Sequence, residues 1–318
     1  MSDILLRPAE LEGDFRQLAA WFTILEGETS TELEIVKEYE ELNERLLLKV
    51  AVDVQGELLG FYWACRDMVE PDRAYFYLFV QPEKRRQGVG RWLYEDLALA
   101  ALDARIRKLR VTVWDNSPES RAFTDRLGFI ERRHSIAMEL DLGSFDDRPY
   151  DEVIARLEGE GYRFTSMEAL GNTEEAQRKL YTLNDATAAT IPGAEGEHSW
   201  TSFEDFQKRV CQSDWYKPGG QMVAIDTTNG AWAAMSAVIR RPGNDFAYNL
   251  FTGVDIPYRG RKIGQVVKVL ALRYARDVLG AASVRTQHNV NNLPMIAIDR
   301  KLGYHQVPGN FLMEKILG

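Results

Sequence analysis

Apolar and polar positions along the chain run through one order of predicted elements twice. Ile4-Leu5-Leu6-Arg7-Pro8 predicts a short strand, and Asp14 is placed to cap a helix from Phe15 to about Leu25. A second helix follows through an acidic stretch. Leu47–Val54 and Leu58–Cys65 read as strands joined by the turn Gln55-Gly56-Glu57. After the strand Tyr75–Val80, the residues Leu93, Leu97, Ala100, Ala101 and Ala104 recur three and four apart, the spacing of a helix that buries one face. A strand Arg110–Trp114, a helix Pro118–Leu127 ending at Gly128, and a strand Arg132–Leu140 complete the first set. The order then restarts. Strand Tyr162–Met167, helix Glu174–Ala188, a loop from Ile191 to Trp200 and a further helix come first. Strands Gln221–Ile225, Ala231–Ile239 and Phe246–Val254 follow, then a helix with Ile263, Val266, Val267, Leu270, Ala271 and Tyr274 on one face. Strand Ser283–Gln287, helix Leu293–Leu302 and strand Phe311–Lys315 end the copy. Strands and helices mixed in one repeated order predict two α+β domains. Their boundaries fall at 1–142 and 161–318, with 143–160 as a linker that carries a short helix.

The repetition reaches single residues. Tyr75-Phe-Tyr-Leu-Phe-Val80 leads to a turn, then Arg85-Arg86-Gln87-Gly88-Val89-Gly90-Arg91. Asn249-Leu-Phe-Thr252-Gly-Val254 leads to a turn, then Arg259-Gly260-Arg261-Lys262-Ile263-Gly264. Each arginine stands five residues before a glycine that opens an apolar helical pattern. Each copy ends alike: Asn116 then Leu127-Gly128-Phe129, and Asn289 and Asn292 then Leu302-Gly303-Tyr304.

Composition adds limits rather than identity. A chain of 318 residues, 45% hydrophobic and 27% charged, has room for two ordinary globular cores. No apolar run reaches the length of a membrane span, and Met-Ser-Asp-Ile-Leu-Leu-Arg is no signal peptide. Two cysteines, one in each half, offer no disulfide framework, so a reduced, cytoplasmic setting is expected. A net charge of -9 argues against nucleic acid as a partner. Much of the acid lies in one run, Glu26, Glu28, Glu32, Glu34, Glu38, Glu40, Glu41 and Glu44. It is either a solvated helix face or a negative rim that attracts a cationic amine.

A strand that ends in a glycine-bearing turn and enters a helix presents free N–H groups and a partial positive charge, which suits a phosphate. The nucleotide P-loop needs Gly-Lys-Ser/Thr, which is absent, and the dinucleotide fingerprint needs a third glycine where Leu93 stands. Arg85-Arg86-Gln87-Gly88-Val89-Gly90 resembles the Arg/Gln-x-x-Gly-x-Gly/Ala signature of the GNAT acetyltransferases. The segments Asn116 to Phe129 and Asn289 to Tyr304 resemble that family's second cofactor-contacting segment, and the doubling resembles its tandem members, mycothiol synthase among them.

The resemblance implies two tandem GNAT domains, each a mixed, mostly antiparallel central sheet flanked by helices. It implies acetyl-CoA lying in a V between two splayed strands. The pyrophosphate would meet the N–H groups of Arg86, Gln87, Gly88, Val89, Gly90 and Arg91, with Arg85 and Arg86 reaching outlying phosphates. The pantetheine would run along Leu78, Phe79 and Val80, and in the second copy along Thr252 and Val254, with Arg259, Gly260, Lys262, Ile263 and Gly264 as the second cradle. Asn116, Asn289 and Asn292 would bond the pantetheine arm. An amine, small molecule or peptide, would attack the thioester directly in a ternary complex.

Departures from the pattern sharpen the chemistry. Where many members carry an acidic tyrosine before Leu-Gly-Phe, this chain has Thr124 and Asp299, and Lys262 takes the place of a loop glycine. Asp299 reads as a helix-surface or capping residue. Glu197 and His198, in a loop where the family binds its substrate, and Asp255, just after the second cofactor strand, are the candidate catalytic bases. No metal is expected, since His134, His288 and His305 lack ligand spacing. A monomer or homodimer, with chemistry in the second domain, is the leading expectation. An acyl-CoA-binding regulatory or scaffold protein, or a transferase of another acyl group, are the alternatives.

Overall fold

A computed structural model describes residues 4–192 and 200–318. In the first half, β1 (Ile4–Pro8), α1 (Asp14–Glu26), α2 (Glu32–Leu42), β2 (Leu46–Asp53), β3 (Leu58–Arg66) and β4 (Arg73–Val80) come in order. Then follow α3 (Val89–Asp103), β5 (Lys108–Trp114), α4 (Pro118–Arg126) and β6 (Ile130–Asp141). The second half runs α5 (Asp151–Gly159), β7 (Tyr162–Ser166), α6 (Glu174–Ala188), a short α7 (Phe203–Phe206), β8 (Gln221–Asp226), β9 (Trp232–Ile239) and β10 (Phe246–Val254). It ends with α8 (Ile263–Asp277), β11 (Ser283–Asn289), α9 (Leu293–Leu302) and β12 (His305–Ile316).

Local chemistry explains the boundaries. Helix α2 starts at a capping box in which Thr31 accepts from the Glu34 N–H and the Glu34 carboxylate accepts from the Thr31 N–H. Only Ile35 of α2 is buried, and its glutamates face water, as a solvated face requires. Asp14 does not cap α1. It is buried, its carboxylate taking both Arg7 guanidinium nitrogens and the Glu10 N–H, so it ties β1 to the helix start instead.

The chain forms two compact units, and their limits differ from the expected boundaries. Unit 1 is Met1–Arg132 with Phe311–Gly318, and unit 2 is Arg133–Asn310. The physical reason lies in two long strands that each serve both units. In unit 1 the strand order is β1-β2-β3-β4-β5, then the end of β12, then the start of β6. In unit 2 it is β7-β8-β9-β10-β11, then the remainder of β6, then the start of β12. Each seven-strand sheet is therefore completed by a strand from the opposite half of the sequence. Gly309 makes the crossing possible in unit 2, because a Cβ there would overlap the Ser135 carbonyl on β6.

Helices cover both faces of each sheet. In unit 1, α1 and α2 bury Phe15, Leu18, Trp21 and Phe22 on one face, and α3 buries Leu93, Leu97 and Ala101 on the other. Met313 and Leu317 belong to that second cluster, so the chain's last residues are core of unit 1. In unit 2, α8 and α9 pack over Met138, Leu140 and Val284, and α6 and α7 over Val223 and Met235.

Glu314, on the exchanged strand, takes Arg110 Nε of β5 at 2.7 Å and Arg132 of β6 at 2.7 Å with its own side chain 5% exposed. Burial alone would raise the carboxyl, but the two guanidinium bonds outweigh it and hold it below the usual carboxylate range. The stability this gives is present above the unfolded carboxylate's pKa, near 4, and is lost as pH falls through the lower native value. We expect Glu314→Gln to lose about 2–4 kcal/mol at pH 7, discounted for the half-exposed Arg132, and to approach the parent below about pH 3. Urea unfolding across that pH range tests it. A chain ending at Asn310 removes Met313, Leu317 and Glu314 together, and should lose the fold of unit 1, read as loss of its near-ultraviolet dichroism.

Candidate functional site

In each unit two neighbouring parallel strands part after three residue pairs. Strands β4 and β5 pair Arg73 with Lys108, Ala74 with Leu109 and Tyr75 with Arg110, and no further. Strands β10 and β11 pair Phe246 with Ser283, Ala247 with Val284 and Tyr248 with Arg285, and no further. Beyond these points β4 stays bonded to β3, and β11 to β6, so the sheet opens without unravelling. The predicted pantetheine residues Leu78, Phe79 and Val80 flank the first opening, and Thr252 and Val254 the second. In β10 the register slips between Asn249 and Phe251, and the Asn249 side chain fills the slip. Its amide donates to Ser236 Oγ and the Ala237 carbonyl, and it accepts from Thr252 Oγ1.

At the mouth of each opening lies the predicted cradle. Two residues in each loop adopt left-handed backbone: Arg86 (φ 63°) and Gly88 (φ 91°), and Gly260 (φ 78°) and Lys262 (φ 70°). Glycine and side-chain-bearing residue have traded places between the loops, while the backbone shape is the same. Neither α3 nor α8 has a side-chain cap. Among the described residues, no hydrogen bond uses the N–H groups of 86–91 or 260–265. These six amides in each loop, at a helix N-terminus, form a nest for an anion.

The structure revises what several cradle residues do. Arg85 Nε donates to the Val80 carbonyl at 3.1 Å, and Arg259 Nε to the Val254 carbonyl at 3.0 Å. Both arginines therefore satisfy the last carbonyl of the parting strand. Arg86 and Lys262 are exposed and uncommitted to such a carbonyl, while the exposed Arg91 pairs with Glu95 at 2.7 Å. Gly90 and Gly264 lie within the helices with no unusual φ, and their value is closeness. A Cβ on Gly90 would sit 3.4 Å from Val80 Cγ2, whereas one on Gly264 would sit 2.6 Å from Val254 Cγ2.

The asparagines divide similarly. Asn116 is exposed in the turn after β5. Asn289 accepts the Asn291 N–H on its side chain and the Asn292 N–H on its carbonyl, so it shapes the turn. Asn292 is the residue before α9, with no cap bond from its side chain. Strand pairing aligns Asn289 with Trp114, and helix starts align Asn292 with Ser117. The second half's counterpart of Asn116 is thus Asn291, one step from the sequence expectation. Trp114 Nε1 donates to the Leu25 carbonyl and Tyr77 Oη to Glu26, which ties both parting strands of unit 1 to the end of α1.

Of the candidate bases, Glu197 and His198 lie outside the described residues. Asp255 accepts the Ile256 N–H and serves the turn after β10. Trp200, Trp215 and Tyr216 pack with Phe203 and Phe206 in a core cluster. Asp299 is neither a surface nor a capping residue, because it is fully buried. Its carboxylate bonds the Lys268 ammonium and His288 Nε2, the latter at 2.5 Å. Reading Leu293–Leu302 by itself hides this, because both partners, Lys268 and His288, lie on other elements. Among the described residues no cluster of His, Cys, Asp or Glu is set to hold a metal, and no helix is long and apolar enough to cross a membrane.

The sequence profile of the Acetyltransferase (GNAT) family matches residues 14–129. A curated relative, the 5-NmdU N-acetyltransferase of Pseudomonas phage PaMx11, is 32% identical over 85 residues. That match spans 27% of this chain and 59% of the relative's length. Two solved structures align over nearly the whole chain. A GCN5-related N-acetyltransferase from Sphaerobacter thermophilus matches at a TM-score of 0.74, with 17% identity over 99% of this chain and 96% of its own. A tandem GNAT protein from the clavulanic acid biosynthesis pathway matches at 0.74, with 20% identity over 99% of both chains. Both show that the fold, tandem arrangement included, is the one expected.

Two substitutions test the loop geometry. Lys262→Gly should relieve a left-handed side chain and, after glycine's entropic cost, gain about 0.5–1 kcal/mol of stability. Gly264→Ala should lower the melting temperature more than Gly90→Ala, since only the former crowds a β-branched side chain at 2.6 Å. Differential scanning calorimetry of the three variants reads both.

Proposed function

We propose that the chain, whose residues 14–129 match the Acetyltransferase (GNAT) family, is a member of it and transfers the acetyl group of acetyl-CoA to a primary amine by direct attack. The observation that carries this reading is the twofold coincidence of a parted strand pair with an unbonded amide nest at its mouth. The opening accommodates a narrow chain, and the nest favours the pyrophosphate. The residues present fit the cofactor: the N–H groups of 86–91 and 260–265 hold its phosphates, with Arg86, Arg91 and Lys262 adding charge. Leu78, Phe79 and Val80, or Thr252 and Val254, line its arm. When bound, it supplies an activated acetyl thioester; the protein orients it and excludes water. The phage relative, an N-acetyltransferase, supports N-acetyl transfer as the reaction class.

The acceptor in this reading is a small-molecule or peptide amine, met in the cytoplasm without membrane or nucleic acid. Unit 2 is the seat of chemistry. Unit 1 places Val113 and Thr124 where unit 2 has His288 and Asp299, and those side chains offer no proton-transfer group. That difference favours a second role for unit 1, binding acetyl-CoA without turnover.

Calorimetric titration with acetyl-CoA, repeated on Gly88→Glu and Gly264→Glu, tests the reading. A glutamate in either nest repels phosphate, so two sites per chain are expected, one lost with each variant. Thiol release on an amine panel should persist in Gly88→Glu and fail in Gly264→Glu. A chain that binds no acetyl-CoA sinks the proposal.

A further inference from the structure

Laid over each other by strand pairing and helix starts, the two units differ in a concerted way at one place. Unit 1 has Tyr94, Val113, Thr124 and Phe129; unit 2 has Lys268, His288, Asp299 and Tyr304 at the same positions. In unit 1 the Thr124 hydroxyl is spent on its own helix, donating to the Arg121 carbonyl. In unit 2 the four residues make a connected polar cluster beneath α8 and α9. Lys268 and Asp299 are 0% exposed and ion-paired, and the Lys268 ammonium sits 4.9 Å from the Tyr304 ring centre. His288 bridges the cluster to the strand opening. It stands on β11 three residues beyond Arg285, the last residue paired to β10, and its side chain keeps 9% exposure. Its Nε2 faces Asp299, and among the described residues no hydrogen bond uses Nδ1.

We propose that His288 is the proton-transfer residue of unit 2, with Asp299 and Lys268 positioning it. The proposal rests on the acyl transfer inferred above and names the group that serves it. With Nε2–H donated to Asp299, the tautomer leaves the Nδ1 lone pair free. As the amine nitrogen bonds to the acetyl carbon and the carbon–sulfur bond breaks, Nδ1 takes the proton the amine must lose. It returns that proton to the departing sulfur, so His288 ends neutral and the products are the amide and the free thiol. Asp299 and Lys268 keep their charges throughout. Burial alone would raise the Asp299 carboxyl, but the His288 bond and the Lys268 charge hold it below the ordinary range. The titratable groups around His288 are Asp299 from α9, Lys268 from α8, Tyr304 ahead of β12, and His134 on β6 beside its register partner Ile136.

The test uses the full chain with ring-labelled histidine and coenzyme A as the probe, its binding followed by calorimetry. Four histidines keep the spectrum assignable through His288→Gln. Saturating coenzyme A should move the His288 ring resonances while those of the exposed His305 stay in place. Asp299→Asn should shift the His288 ring-nitrogen resonances at fixed pH, since the carboxylate that accepts from Nε2–H is then gone. In turnover, His288→Gln should cut kcat by about 100-fold or more with the KM for acetyl-CoA nearly unchanged. The rise of kcat with pH should vanish in His288→Gln, and kcat should fall in Asp299→Asn, with circular dichroism confirming that each variant folds. Coenzyme A that binds yet leaves His288 unmoved overturns this assignment and leaves the proposed function standing. Absence of any binding overturns both.

Discussion

Parallel strands that stop pairing inside a sheet create backbone groups whose ladder partners have gone, and those groups must be answered locally or left for a ligand. Both units meet this constraint after the third pair, at Tyr75 with Arg110 and at Tyr248 with Arg285. Part of the answer is the same in each. An arginine from the following loop covers the carbonyl that ends the parting strand, Arg85 on Val80 and Arg259 on Val254. The remainder is particular to the unit. Thr286 Oγ1 donates to the Asn249 carbonyl across the apex of the second opening. In the first, Tyr77 and Trp114 reach to α1. Holding such an opening fixed keeps the amide nest at its mouth in one shape, as the proposed cofactor site requires.

The exchange of strands serves the same end. β5 leaves β4 at Arg110, so its other edge must hold it, and the strand on that edge comes from the chain's last residues. Glu314 on that strand bonds Arg110 itself, the residue at which the opening begins. The ion pair clamps the outer side of the parted strand where its inner side goes free. Truncation at the far end of the chain therefore acts on the site of unit 1, a coupling that sequence distance conceals.

Much of this was legible in the residues, and the failures have identifiable causes. The strands and helices followed from periodicity because each buries one face: Leu93, Leu97 and Ala101 are core residues at the spacing that predicted them. The two matching turns into α3 and α8 followed from Arg85 to Gly90 and Arg259 to Gly264 in register. The domain boundary did not. Arg132–Leu140 and Phe311–Lys315 read as strands whichever sheet they join, since alternation specifies a face and not a neighbour. Asp299 failed for a related reason. Amid Arg300 and Lys301 in a short helix it has the signature of a surface acid, and its burial depends on Lys268 and His288, which lie elsewhere in the sequence. The loop with Glu197 and His198 carried the substrate expectation on resemblance alone, with no packing pattern to anchor it.

What separates the units is where each accepts an energetic cost. Unit 1 fills the space between α3, α4 and β5 with Tyr94, Val113, Thr124 and Phe129, a packing with no formal charge. Unit 2 puts a lysine and an aspartate there, each 0% exposed. Removing two such ions from water costs several kcal/mol apiece, and their mutual attraction seldom more than repays it. Well-packed neutral side chains of similar size hold such a place at least as firmly, and unit 1 shows that this fold accepts them. Stability therefore gives no reason for the pair. The same unit holds Lys262 in left-handed backbone and a register slip at Asn249, two further departures from the lowest-cost arrangement. Unit 1 carries comparable strains at Asn43, Arg86 and Arg105 and a register slip after Ala51, and of these Arg86 lies in its nest. Costs of this kind persist where the surrounding structure holds them for a task. At the opening of unit 2 the strained Lys262 and the slip at Asn249 accompany the buried Lys268–Asp299 pair, and it is the pair, absent from unit 1, that supports the proposed seat of chemistry.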